Sequence, residues 1–281
     1  MMNYAALQPQ KRGGAAKQRD RMMEPNRLQA DNVISRRKIM LGAAGTTLVA
    51  NFARGGELSM AGAAIKNGEH QMTPKAFVYA ELQLSVPFED APWQELNEQI
   101  ANEPGFLNKT WLSGVGNNSV GGIYSFDSVE AAQHYCTTFF PAAAMRFGVA
   151  QTTRVFDAGV VSAASLDMGS PHFGEAPTQA PGAFVYTEVQ VSVPFEGAPW
   201  QDRNPVLKRQ KGLLSKLWLS GLHTSTLGGV DAFDTVENAL AFAIDDFPKT
   251  AAKLNAAFYT RVFDANATEQ ASRGLSSPYY T

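Results

Sequence analysis

Residues 76–94 read AFVYAELQLSVPFEDAPWQ, and residues 183–201 read AFVYTEVQVSVPFEGAPWQ. The offset of 107 residues holds without a gap from 76–158 onto 183–265, where 40 of the 83 aligned positions are identical. Identity of that order over so long a stretch marks one unit written twice. Two copies, each long enough to be a compact fold, exclude a solenoid of short repeats. Between the copies, residues 159–182 are rich in Gly, Ala, Ser and Pro, the composition of an irregular linker. The tail, 266–281, is polar and reads as loose.

Within each copy the hydrophobic period changes in a fixed order. Phe77, Tyr79, Glu81 and Gln83 alternate with Val78, Ala80, Leu82 and Leu84, which predicts a strand with two distinct faces ended by Pro87. Pro92 stands where a helix can start with its φ already fixed, and Pro104-Gly105 stops that helix. FLNKTWLS and GIYSF flank the polar glycine stretch 114–121 and predict a hairpin. Ser128 then caps a helix through VEAAQHYC, PAAAMRFG offers further helical turns, and TTRVFDA closes the unit as a fourth strand. The order β-α-β-β-α-β is that of a ferredoxin-like sandwich. Its helices cover one sheet face, so the other face, still apolar, needs a second layer. The sequence therefore predicts an α+β protein in which units 76–158 and 183–265 pack sheet to sheet as an intramolecular dimeric α/β barrel. A single chain then supplies what an isologous dimer needs two for.

Charge separates the first residues from the rest. Residues 1–38 carry nine Lys/Arg against three Asp/Glu, whereas from Ala64 onward 14 Lys/Arg face 22 Asp/Glu, which argues against a nucleic-acid surface on the folded part. Arg36 and Arg37 precede a mild apolar run, 39–53, too short to span a bilayer, and Ala61-Gly62-Ala63 supplies a small-residue cleavage site. Residues 1–63 thus resemble a disordered twin-arginine export signal, and the mature chain is expected in the periplasm or outside the cell. The lone Cys136, matched by Ala243, cannot form an intramolecular disulfide and reads as a small helix residue.

At NEPGFLNKTWLS, GGIYSF, SVEAAQHY and TTRVFDA the first copy resembles the YdhR-type monooxygenase family of small dimeric α/β-barrel proteins; KGLLSKLWLS, GGVDAF, TVENALAF and YTRVFDA repeat the likeness more weakly. The resemblance spans both copies and implies the barrel, and it implies oxygenase chemistry by kinship with antibiotic-biosynthesis monooxygenases. Fusion of two copies and the export signal depart from the usual member.

The histidines show no paired ligand spacing and none recurs in both copies, so neither a metal site nor a haem ligand is read, and no phosphate loop or nucleophile elbow is present. That leaves oxygenation without metal, flavin or other cofactor, in which an electron-rich quinol or anthrone loses a proton and then reacts with molecular oxygen. Residues present in both copies are the nominees: Trp111 and Trp218 to stack on the ring, Tyr79 and Tyr186 beside Glu81 and Glu188 as bases, and Arg154 and Arg261 to hold an anion. The topology also predicts a bland alternative, cross-strand ion pairs Glu81–Arg154 and Glu188–Arg261 inside each unit. Lys109 and Lys216 share a strand face with the tryptophans and are read either as solvated or as anion ligands; His134, matched by Ala241, is a lone helix histidine and a further base. Tyr124 becomes Asp231 in the second copy, so the halves have diverged and one pocket is expected to work while the other is structural. The partners expected are a small aromatic molecule, molecular oxygen and, at the membrane during export only, the twin-arginine machinery, with no nucleic acid. The rival reading is a non-catalytic exported protein that holds a small hydrophobic ligand.

Overall fold

The structure, a computed structural model, describes residues 72–280 with the exception of Ser85 and Ser192; Arg36, Arg37 and the predicted export signal lie outside the described residues. Strand β1 (Ala76–Gln83) leads through a short turn at Phe88–Asp90 to helix α1 (Trp93–Ala101), which begins directly after Pro92. Strands β2 (Phe106–Ser113) and β3 (Ser119–Phe126) form the hairpin. Ser128 caps α2 (Val129–Thr137) by accepting a hydrogen bond from Ala131 N, α3 (Phe139–Phe147) ends on Gly148 in the left-handed region, and β4 (Gln151–Asp157) completes the unit. The second unit repeats the order with β5 (Ala183–Gln190), α5 (Trp200–Leu207), β6 (Leu213–Gly221), β7 (Thr226–Phe233), α6 (Val236–Ala241), α7 (Phe247–Lys253) and β8 (Phe258–Asp264). Where the first unit breaks its helix at Thr138, the second runs through a π turn at Phe242–Asp246.

The strand order is β2-β3-β1-β4-β6-β7-β5-β8, antiparallel throughout. The units join at Phe156↔Gly221 and Asp157↔Ser220, and Leu222 N donates to Val155 O at 2.9 Å. The same contact recurs at the opposite seam: Gly114 bridges Phe263, and Val115 N donates to Val262 O at 2.9 Å. The outer strands are thereby joined at their ends, and the eight strands close on themselves as two ferredoxin-like units related by a pseudo-two-fold. Closure explains why nearly all of β1 and β5 is buried on both faces. Tyr79 and Phe77 face the barrel interior, while Val78, Ala80 and Leu82 pack beneath the helices with Trp111, Tyr124 and Phe140.

Two segments correct the reading of the sequence. The linker, expected to be irregular, carries α4 (Ser162–Asp167) and buries Ala164, Ser165 and Met168. The tail, expected to be loose, carries α8 (Glu269–Arg273) and buries Ala271, Ser272 and Leu275. They are equivalents at the same offset of 107 residues, and each clamps a tryptophan strand: Ser165 Oγ accepts from Trp218 N and Ser272 Oγ from Trp111 N, both at 2.9 Å. Lys216 N reaches Met168 O and Lys109 N reaches Leu275 O, at 3.2 and 3.1 Å. Each segment thus adds an outer partner to a strand edge left free by the hairpin. Among the described residues no helix is long and apolar enough to cross a membrane.

Candidate functional site

Inside the barrel the alternation of β1 and β5 delivers Tyr79 and Tyr186 to the pseudo-two-fold axis. Their rings stack with centroids 4.0 Å apart and planes 10° apart. Each phenol donates to the glutamate two residues on, Tyr79 to Glu81 at 2.7 Å and Tyr186 to Glu188 at 2.6 Å. The arginines do not pair within their own unit as expected. Register sets Arg154 opposite Tyr79 and Arg261 opposite Tyr186, and both side chains reach across the seam. Arg261 donates to Glu81 through Nε (3.1 Å) and Nη2, while Arg154 Nε lies 3.5 Å from Glu188. Burial alone would raise the Glu81 carboxyl, but the hydrogen bonds from Arg261 and Tyr79 outweigh it and hold the group below the usual carboxylate range. Burial, with the adjoining carboxylates, pushes both tyrosine phenols well above their usual range. Glu81 is therefore an ionised, fully committed group and not a free base. The Glu188 side opens to a cavity of about 280 Å³ lined by Thr152, Arg154, Tyr186, Phe258 and Tyr259.

The tryptophans and lysines lie on the opposite, helix-covered face, so the nominated residues form two sites and not one. Asn97 and Asn204, one turn into α1 and α5, accept from Trp111 Nε1 at 2.8 Å and Trp218 Nε1 at 3.0 Å. Their amides in turn donate to Ala271 O and Ala164 O at 3.0 and 3.1 Å. Both lysines are buried, against the solvated reading, and Gly122 and Gly229 make room, since a Cβ at either would strike the lysine side chain. Beyond this shared frame the halves differ. Lys216 Nζ donates to both oxygens of Asp231, at 2.9 and 3.1 Å. Lys109, facing Tyr124 instead, has no hydrogen-bond partner among the described residues, and its Nζ lies 2.7 Å from the centroid of Trp111. Burial pulls the Lys109 amine well below its usual range. It raises the Asp231 carboxyl above the usual range despite the counteracting Lys216.

Space follows the same division. In the first unit Tyr124, Tyr135, Phe139 and Phe140 leave only about 30 Å³ beneath the helices. In the second an apolar cavity of about 200 Å³ is lined by Trp218, Lys216, Arg203, Phe242, Phe247 and Leu254. His134, nominated as a further base, lines neither cavity and is exposed on α2. Cys136 is half-buried and burial pushes its thiol up to about 12, far from a nucleophile's range. Asn97, Asn204, Ser165, Ser272 and the Asp231 pairing escaped the sequence reading, although the asparagines and serines recur at the same 107-residue offset as the tryptophans.

Residues 81–165 match the family described as "Putative mono-oxygenase ydhR". No curated protein matches. Among solved structures, an anthrone oxidase-like protein shares 13% identity over 68% of this chain and 91% of its own, with a TM-score of 0.45. A monooxygenase-like protein of Listeria innocua shares 11% over 69% and 96%, with a TM-score of 0.38. A mutant chlorite dismutase of Candidatus Nitrospira defluvii shares 8% over 73% and 99%, with a TM-score of 0.41.

Proposed function

We propose that the helix-side cavity of the second unit is a monooxygenase site for a small neutral aromatic of the quinol or anthrone class, working without a bound metal or flavin. The observation that carries the reading is the conjunction, on the wall of one apolar space of about 200 Å³, of Trp218 and of Lys216, whose ammonium is paired with the buried Asp231 behind it. The family match falls on the first unit, whose equivalent space is filled. The second unit keeps the same Trp–Asn–Lys frame and opens it.

The ring lies against Trp218, and the helices exclude water from the reacting carbon. The substrate's acidic proton passes through Lys216 to Asp231, whose raised affinity for a proton suits it to hold one. The substrate oxyanion then faces the Lys216 ammonium, with Arg203 as a second cation on the cavity wall where the first unit has Leu96. The carbanion form gives its electrons to molecular oxygen. In an anthrone the methylene becomes a carbonyl, and in a quinol a ring C–H becomes C–OH as the ring goes to the quinone; in both, one oxygen atom enters the product and the other leaves as water with two hydrogens of the substrate, so no outside reductant is consumed. The Tyr–Glu–Arg groups of the barrel interior, first read as the bases, support the fold on this account.

Oxygen consumption by the chain with a panel of quinols and anthrones tests the proposal. Uptake above the spontaneous rate is expected, falling about 100-fold in a folded Trp218→Ala variant, in line with the contribution of positioning and general-base groups. No uptake, with the same compounds still raising the melting temperature, identifies a binding protein instead. We also propose that Arg36 and Arg37 direct export of the chain; cell fractionation of an Arg36→Lys, Arg37→Lys variant should move it from the periplasm to the cytoplasm, and unchanged fractionation would discard the signal.

A further inference from the structure

The barrel-side cavity has no part in that reaction, and its composition points to a ligand of its own. Arg154 stands in its mouth with 45% of the side chain exposed, against 24% for its counterpart Arg261. Nη1 donates to Thr153 O at 3.0 Å and Nε sits 3.5 Å from Glu188, which leaves Nη2 without a protein partner among the described residues. Glu188 is held by Tyr186 (2.6 Å) and Gln190 (3.2 Å), and its charge is offset by Arg154 at 3.5 Å. Phe258 and Tyr259 also line the cavity and remain 46% and 40% exposed, although Phe258 meets Phe247 edge-on (centroids 5.9 Å apart) and Tyr259 meets Tyr186 (6.1 Å). The equivalent positions of the first unit are Gln151 and Thr152, so the wall stands on one side only, and the small Thr152 leaves the space it faces.

The geometry points to a binding site for a planar aromatic carboxylate, its carboxylate on the Arg154 guanidinium and its ring against Phe258 and Tyr259. A guanidinium fork matches a carboxylate in shape as well as charge, and exposed aromatic faces accept a ring without rearrangement. A volume of about 280 Å³ admits one or two fused rings. Strand β5 serves both cavities, with Tyr186 and Glu188 turned to this one and Thr187 and Val189 to the helix-side one, yet the two sites share no residue.

Calorimetric titration of the full chain with 2-naphthoate and with uncharged 2-naphthamide tests the assignment. Saturable binding of the acid is expected, at least about tenfold tighter than the amide, the factor a charge-assisted hydrogen bond supplies. Arg154→Gln should remove that preference while leaving amide binding unchanged, and Tyr259→Thr, which copies the first unit, should weaken both ligands. Trp218→Ala should leave naphthoate binding intact, which separates this site from the proposed oxygenase cavity. Equal affinity for acid and amide in the wild-type chain, an unaltered acid preference in Arg154→Gln, loss of acid binding in Trp218→Ala, or no saturable binding would each overturn the assignment.

Discussion

The helix-covered faces of the two units share a tryptophan, an asparagine, a clamping serine and a buried lysine, and differ in what the lysine meets. In the first unit Lys109 lies in a wholly apolar setting, against Trp111 and 4.5 Å from the centroid of Tyr124, with the space around it filled. In the second, Asp231 replaces that tyrosine and draws the ammonium to 4.6 Å from the Trp218 centroid. The exchange from phenol to carboxylate gives the buried cation its counter-ion, and with Phe139 and Phe147 replaced by Asp246 and Leu254 the space beside the tryptophan is less filled. A cavity results where the other half has a core. A repeated frame can fill the space in one copy and leave it open in the other.

The largest effect that would sharpen this comparison belongs to Lys216→Met. It strands Asp231, fully buried, without its cation, and stability to urea should fall by about 3–5 kcal/mol. A loss under 1 kcal/mol would mean the pair carries no such role. The matching Lys109→Met should act in the opposite direction and stabilise by about 1–2 kcal/mol, since it replaces an unpartnered buried amine with an isosteric apolar chain. Its pH dependence has a definite sign: the folded chain holds Lys109 with a lowered proton affinity while the unfolded chain keeps it protonated to about pH 10.4, so wild-type stability rises with pH. The gain from Lys109→Met should therefore shrink between pH 7 and pH 10.

A smaller contrast lies where the linker and tail enter the barrel, with His172 at the position equivalent to Tyr279. Burial pulls His172 down to about 3, and its Nδ1 meets Ser125 Oγ at 3.2 Å. Between about pH 6.5 and pH 3 the unfolded chain binds a proton that the folded chain refuses, so stability falls as pH drops through that window, by up to about 1.4 kcal/mol per unit. Denaturation at pH 6.5 and pH 5 should show the slope in the wild type and lose it in His172→Phe. The Glu81 carboxyl, depressed in the fold, adds a loss of stability of the same sign as pH falls through about 4.5, so the histidine is read from the difference between wild type and His172→Phe.

The repeat, the order of elements and the barrel were legible because period-two and helical patterns recur twice with the same proline and glycine punctuation. Glu81 and Arg261 were visible as functional types, but not as partners. Strand alternation fixes the face of a residue, whereas the pairing across the seam depends on closure that brings β8 over β1. Composition alone misleads in the linker: Gly, Ala and Ser suggest a loop, yet Ala164 and Ser165 are small because they pack against a neighbouring strand, and Ala271 and Ser272 repeat them. Comparing the copies beyond Ala158 would have exposed that role. Lysine burial escaped for a related reason, since a charge on a strand reads as solvent-facing until the adjacent glycine pair is seen as space for it.

The most direct test is the crystal structure of the chain with anthraquinone, the product of the proposed reaction with an anthrone and itself unreactive toward oxygen. The account predicts the planar ring in the second unit alone, against Trp218 and within reach of Lys216. The same ligand bound in the barrel mouth or against Trp111, with none beside Trp218, would contradict it.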